Sequence, residues 1–207
     1  MTQFALPLAW PDDARDAEFL IGSSNADAVG TLDRWATWPV RAGLLVGPPG
    51  SGRSLLGRIF AARSGGEVID DAERVREDEL FHAWNRAQEG AHPLLFVAAA
   101  PPPVWQVALP DLRSRLLASP VAAIAPPDDA LLAALFERAF ERRRVDARPD
   151  LIAWLSTRVE RRHAAVTEAV DRLVEAALSG HRRLSIPLAR ATLAPHASFD
   201  GQGDTDE

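Results

Sequence analysis

The fold class predicted by the sequence is an α/β core with a mostly parallel sheet of about four strands, followed by an all-helical region. Three observations predict it. The octapeptide Gly47-Pro48-Pro49-Gly50-Ser51-Gly52-Arg53-Ser54 lies between an apolar run and a helical pattern. Four short apolar runs alternate with helical spacings across residues 42–124, as parallel sheets with crossover helices require. Beyond Pro126-Pro127 only helical spacings remain.

Taken in order, residues 1–12 read as an extended tail. The stretch 19–38 holds a helix, with Ser24 or Asn25 as its cap and Ala28, Leu32 and Trp35 on one apolar face. Residues 42–47 form a short buried strand and residues 54–63 a helix that Gly65-Gly66 stops. Residues 67–70 form the second strand. A helix over 77–89 places Leu80, Phe81, Trp84 and Ala87 on one side, and 94–98 is a third buried strand. Pro101-Pro102-Pro103 forces a loop before a short helix at 112–118 and a fourth strand at 121–124. Asp128-Asp129 opens a helix with Leu131, Leu132, Leu135, Phe136, Ala139 and Phe140 at helical spacing. Helices at 151–159, 165–178 and 187–193 follow. The boundaries are therefore 1–12 for the tail, 13–125 for the core, 126–194 for the helical region and 195–207 for a polar, acidic end expected to be disordered.

The chain has 207 residues, 47% of them hydrophobic and 25% charged, enough for one core and a polar surface. No run of 18 apolar residues predicts a membrane span. Residues 1–10 carry no basic side chain and are broken by Pro7, unlike a secretory leader. The absence of cysteine excludes disulfides, thiolate metal sites and a cysteine nucleophile, and fits a cytoplasmic location. A net charge of −6 argues against a nucleic-acid coat, and no direct specific DNA binding is expected. All 23 basic residues are Arg, so a single Arg carries less meaning than usual.

The octapeptide matches G-x-x-x-x-G-K-[ST] except that Arg53 stands in the lysine position. In such a loop, glycines let consecutive amides converge on phosphate, and the following helix adds its dipole. Residues Gly47, Pro48, Pro49, Gly50, Ser51, Gly52, Arg53, Ser54 and Leu55 are the candidate phosphate site, with Ser54 placed to hold Mg²⁺. Arg53 can neutralise phosphate, but its planar fork is larger and differently aimed than an ammonium. A glycine-rich turn without a ligand is the plainer alternative. Val68-Ile69-Asp70-Asp71 ends the second strand in two acids. Asp70 is a candidate Mg²⁺ ligand, or the pair is simply a polar turn. Trp35, Trp38, Trp84, Trp105 and Trp154 read as packing residues, the histidines have no metal spacing, and Arg142-Arg143-Arg144 reads as a solvated helix end.

From residue 3 to residue 193 the chain resembles the DnaA family of AAA+ replication proteins, and within it the Hda branch of DnaA-related regulators. The residues carrying the resemblance are Gln3-Phe4-Ala5-Leu6-Pro7-Leu8, Phe19-Leu20-Ile21-Gly22-Ser23-Ser24-Asn25, the phosphate loop with Arg53, and Ile69-Asp70-Asp71. Leu109-Pro110-Asp111-Leu112-Arg113-Ser114-Arg115-Leu116, Arg172-Leu173 and Leu184-Ser185-Ile186-Pro187 continue it. The resemblance implies a P-loop AAA+ core and an all-helical lid, with ADP or ATP and Mg²⁺ as ligands and Leu20 and Ile21 near the adenine. It places an arginine finger at Arg115, acting in trans on a neighbour's γ-phosphate; read without the resemblance, Arg115 is a solvated helix charge. It makes Gln3, Phe4, Leu6, Pro7 and Leu8 a motif for the β sliding clamp of DNA polymerase III, where an edge packed on the core is the alternative.

The departures from the pattern matter equally. The sensor-one position falls on Ala99, and the sensor-two arginine aligns to Ala164, with Arg161, Arg162 and His163 nearby. Only 13 residues separate Ser54 from Val68, where the family fits a further strand and helix, so the sheet is expected to be trimmed. Together these imply a protein that hydrolyses little or no ATP itself. The leading expectation is a regulator of replication initiation that stimulates ATP hydrolysis by DnaA. The alternatives are an autonomous P-loop ATPase and a binding adaptor with a vestigial nucleotide site. A homo-oligomer is allowed by the sequence, and no membrane partner is expected.

Overall fold

A computed structural model describes residues 19–193. The expected tails at 1–12 and 195–207, and the clamp motif Gln3, Phe4, Leu6, Pro7 and Leu8, lie outside the described residues. Four strands form one all-parallel sheet: β1 (Ala42–Val46), β2 (Glu67–Ile69), β3 (Leu94–Ala98) and β4 (Val121–Ala123), in the order β2-β3-β1-β4. β1 lies between β3 and β4, with Leu44 opposite both Phe96 and Val121. β2 pairs with β3 alone, Val68 opposite Leu95.

Helices cover both faces, which is why the inner strands are continuously apolar. Leu44, Val46, Phe96 and Ala98 pack with Leu80 and Ala83 of α3 (Glu77–Glu89) and with Leu112 and Leu116 of α4 (Pro110–Ala118). Leu45, Leu95 and Val97 point the other way. They meet Ala28, Val29 and Leu32 of α1 (Ala26–Asp33) and Leu56, Ile59 and Phe60 of α2 (Arg53–Ser64). Trp38 stacks on Phe60 at 5.7 Å between ring centroids and covers Gly43, where an added Cβ would lie 2.5 Å from the indole.

The helix expected within 19–38 is confined to α1, and a single 3₁₀ turn at Trp35–Thr37 follows it. The preceding residues are held open by Asn25, which sits at the helix start without capping it. Its Oδ1 accepts from the Gly22 amide (2.9 Å) and its Nδ2 donates to the Leu20 carbonyl (2.9 Å). The helix at 77–89 and the strand at 94–98 fall where expected, and the remaining elements differ from expectation by one to three residues at one or both ends. The second strand stops at Ile69, one residue short, because Asp71 turns into left-handed backbone with φ 48°.

The trimmed sheet has a local cause. Between α2 and β2 there are only Gly65 and Gly66. Gly65 (φ 66°) closes α2 by donating its amide to the Ala61 carbonyl, and a Cβ on Gly66 would stand 2.5 Å from the Pro93 carbonyl oxygen. The chain passes straight from helix to edge strand, leaving no length for a fifth strand.

After Pro126-Pro127 come α5 (Asp129–Arg142), α6 (Pro149–Ser156), α7 (His163–Ser179) and α8 (Ile186–Leu193). They enclose a separate core of Leu132, Phe136, Phe140, Leu151, Leu155, Val170 and Leu173. Asp128 caps α5 by accepting from the Leu131 amide at 2.7 Å. No described helix is long and apolar enough to cross a membrane.

Because Phe136 is fully buried at the centre of this helical core, Phe136→Ala should lower unfolding free energy by about 3–5 kcal/mol in chemical denaturation. Leu117→Ala, at a largely exposed position, should stay within about 0.5 kcal/mol of the parent.

Candidate nucleotide site

The loop Gly47–Arg53 leaves the carboxyl end of β1, and α2 begins at its end. Gly50 (φ 73°) and Gly52 (φ 89°) are left-handed, a conformation other residues reach only with strain. A Cβ on Gly47 would meet the Ser51 hydroxyl at 2.8 Å and the Ile124 carbonyl oxygen at 3.1 Å, so the loop is folded tightly onto the end of the sheet. Gly52 is the left-handed N-cap of α2, and the first-turn amides of that helix have no intrahelical acceptor, the arrangement that suits an anion.

Three pieces of chain converge on the loop. The segment before α1 supplies Phe19, Leu20, Ser24 and Asn25; the helical region supplies Leu131, Leu135 and His163; the loop itself supplies Ser51, Gly52 and Leu55. They bound a small cleft beside the loop. Two hydroxyls in its lining, Ser24 Oγ and Ser51 Oγ, are buried without a hydrogen-bond partner in the protein. Buried hydroxyls of that kind are costly unless a ligand or water satisfies them, so the lining suits a polar ligand with apolar parts. The segment is tied to both neighbours. The Ser24 carbonyl accepts from the Ala125 amide at 2.9 Å, and the Ser23 hydroxyl donates to Asp128. That hydrogen bond, then the one from the Leu131 amide, holds the Asp128 carboxyl below its ordinary value.

The helical region closes on the loop through α7. The His163 amide donates to the Gly50 carbonyl at 3.0 Å, and a Cβ on Gly50 would lie 3.1 Å from the Ala164 methyl. Ala164, the expected sensor-two position, therefore sits on the phosphate loop and offers it only a methyl group. Arg161 is engaged by Asp129 (2.5 Å) and the Pro127 carbonyl, and Arg162 by Glu160 (2.7 Å) and Glu168 (3.8 Å). His163 has an exposed outer edge. Enclosure by the neighbouring protein, and then Arg142 and Arg138, hold its imidazole below the usual value.

The remaining candidates are placed as follows. Leu20 lines the cleft, whereas Ile21 lines a neighbouring cavity between α1 and α2. Arg53 is almost buried. Its Nη1 donates to the Gly47 carbonyl at 2.7 Å and its Nη2 to Asp71 Oδ1 at 3.1 Å. Asp70 is exposed and accepts from the Asp71 amide at 2.9 Å, so of the two acids it is Asp71 that meets the loop's arginine. Among the described residues no group of three or more His, Asp or Glu side chains is gathered for a metal, so Ser54 and Asp70 would need phosphate and water to complete a Mg²⁺ shell. Ala99 follows directly on β3, its amide donating to Glu73 Oε1 at 3.1 Å. Arg115 lies on α4, on the opposite face of the sheet from α1 and α2. Its guanidinium is 4.2 Å from the ring centre of Phe81 and 4.5 Å from that of Trp84, and it donates to Asn85.

Residues 128–193 match the family model of the Hda lid domain. The fold matches domain III of the Thermotoga maritima replication initiation protein DnaA, with TM-score 0.74, 15% identity, and coverage of 90% of this chain and 98% of that one. The helical region is therefore an Hda lid domain, and it is joined to a core with the fold of DnaA domain III. The Thermotoga maritima RuvB Holliday junction branch migration motor shares the fold at TM-score 0.65 and 18% identity, over 83% of this chain and 68% of that one. A replication initiator DnaA bound to AMPPCP and single-stranded DNA matches at TM-score 0.63 and 14% identity, over 79% and 66%. The helices α5 to α8 make up the matched lid domain, and the His163–Gly50 contact is where it meets the glycine loop.

The lowered basicity of His163 has a definite sign. The folded protein binds a proton there less readily than the unfolded chain, so protonation favours unfolding and this contribution to stability is lost as pH falls through the ordinary histidine range. The melting temperature should therefore fall between about pH 7.5 and pH 5. His163→Gln should flatten that part of the curve, as differential scanning fluorimetry across pH would record.

Proposed function

We propose that this protein is a regulator of chromosomal replication initiation that binds an adenine nucleotide, engages the β sliding clamp and stimulates ATP hydrolysis by DnaA in trans. The observation that carries the proposal is an Hda lid seated on the phosphate loop of a DnaA-like core. The phosphates rest on the amides of Gly50 to Ser54, with ADP preferred, the hydroxyls of Ser24 and Ser51 facing the ligand, and Leu20 against its base. Mg²⁺, when bound, adds positive charge at Ser54, with Asp70 at the neighbouring strand end.

The chain's own site is poorly equipped for hydrolysis. A γ-phosphate needs donors that sharpen as charge develops, and Ala99 and Ala164 bring no polar side chain to it. Chemistry therefore belongs in a partner's site. Arg115 is suited to supply it, because a planar guanidinium donates two parallel hydrogen bonds to phosphate. Its two aromatic neighbours shield it partly from water, which strengthens its interaction with an anion. A binding adaptor with a vestigial nucleotide site is the second reading, and the engagement of Arg53 with Gly47 and Asp71 favours it. Calorimetry with millimolar ADP separates the two, since the adaptor alone gives no heat.

The direct test is hydrolysis of DnaA-bound ATP with and without this protein and DNA-loaded clamp. Arg115→Ala should bind nucleotide and clamp as the parent does, yet lose at least about 10²-fold of the stimulation, given the usual worth of an arginine finger. Arg113→Ala, on an exposed position two residues away, should retain most of it. Full stimulation by the Arg115 variant overturns the mechanism.

The clamp assignment has its own test. Replacing Gln3, Leu6 and Leu8 together with Ala should abolish binding to the clamp in surface plasmon resonance and leave the melting temperature within about 2 °C, the range of a minor surface change. A drop much larger than that makes the segment part of the core instead.

A further inference from the structure

We propose that Asp71 is a specificity-determining counter-ion that competes with nucleotide phosphate for the Arg53 guanidinium. The inference rests on the reading that this loop binds an adenine nucleotide, and it names a residue that controls how tightly.

Arg53 is the first residue of α2, at the position where a phosphate loop places its cation, and its side chain is only 10% exposed. Both of its terminal nitrogens already have partners: Nη1 the carbonyl of Gly47, Nη2 the carboxylate of Asp71. The guanidinium thus staples the first residue of the loop to the turn after β2. A fork fixed at two points cannot also turn toward a phosphate on the α2 amides without releasing one of them.

Asp71 is built into this role. It is a non-glycine residue with φ 48°, a conformation that costs free energy and persists where the surroundings determine it. Its backbone is fixed on both sides: its amide donates to Asp70 Oδ1 at 2.9 Å, and its carbonyl accepts from the Arg74 amide at 2.8 Å. The left-handed turn aims the Asp71 carboxylate at Arg53 while Asp70 remains exposed. Asp71 itself is half-exposed, so the pair can open without stranding a buried carboxylate.

Two consequences oppose phosphate binding. The guanidinium must leave a carboxylate to reach phosphate, and the released carboxylate then stands beside the incoming anion. Neutralising Asp71 removes both. Asn is the appropriate replacement because it tolerates left-handed backbone and keeps the side-chain shape.

The experiment is isothermal titration of ADP into the full chain, in EDTA and again in Mg²⁺, for the parent, Asp71→Asn, Arg53→Met and the double variant. Circular dichroism melts establish that each is folded, and Arg53→Gln replaces Arg53→Met if the latter does not fold, since a neutral amide leaves Asp71 no cation to pair with. Asp71→Asn should bind ADP about tenfold more tightly in EDTA, the scale of one charge-assisted hydrogen bond discounted for exposure. In the Arg53 background the same substitution should give a clearly smaller gain, about threefold or less, because only the carboxylate's repulsion of the anion remains once the guanidinium is gone. Unchanged or weaker binding by Asp71→Asn overturns the proposal. So does an equal gain in the Arg53 background, which would make Asp71 a repulsive charge only. Weakening seen only with Mg²⁺ would make it a metal ligand instead, and that also overturns the proposal. If parent and variants alike bind no ADP, the nucleotide reading falls together with this one. Parent binding with no response to Asp71→Asn removes the counter-ion role alone.

Discussion

The enclosure of β1 on both faces is the constraint from which the site follows. Leu44 and Val46 face α3 and α4, while Leu45 faces α1 and α2. A strand buried this way must run between two others, and its end then opens at the middle of the sheet's carboxyl edge. Gly47 follows at that point, compressed between Ser51 and Ile124. Helix α2 can approach closely because Gly57 presents no side chain to Val97 and Val68. The direction of α2, and hence of its first-turn amides, is fixed by core packing before any ligand arrives.

Core and lid have separate hydrophobic interiors, so their relation depends on a few specific contacts. The segment from Phe19 to Asn25 makes several of them: Leu20 packs on the lid, Ser23 reaches Asp128, and Ser24 holds Ala125. The other contact is the Gly50 carbonyl with the His163 amide. A molecule in the cleft would touch all three pieces at once, which is how binding at a domain junction becomes coupled to the angle between domains.

Much of this was legible in the sequence, for identifiable reasons. Strands buried on both faces appear as unbroken apolar runs, and residues 42–46 and 94–98 did. The lid helices repeat their apolar residues at helical spacing, so Leu132, Phe136, Phe140, Val170 and Leu173 were recognisable as core. The phosphate loop was visible because its glycines have conformational work at fixed intervals. What stayed hidden depended on long-range or conformational detail. The pair Asp70-Asp71 was visible, but choosing between them required knowing that residue 71 is left-handed, which reverses where the side chains point. Phe81 and Trp84 fitted an inward helical face, yet they grip Arg115 from across the sequence. The contact of Ala164 with Gly50 joins residues more than a hundred apart, and no local pattern encodes it. The role assigned to Arg115 came from resemblance to a family rather than from its own surroundings.

Among the described residues, the two-glycine passage from α2 to β2 leaves β2 as the outer strand of an open sheet. Such a strand offers unpaired backbone groups to any other extended chain, the usual starting point for aggregation. Here the opportunity is small. β2 has three residues, and Glu67 at its start is charged and exposed, with Arg86 3.8 Å away. Among the described residues, shortening the core therefore leaves only a brief, charged border at the margin where the sheet was cut back.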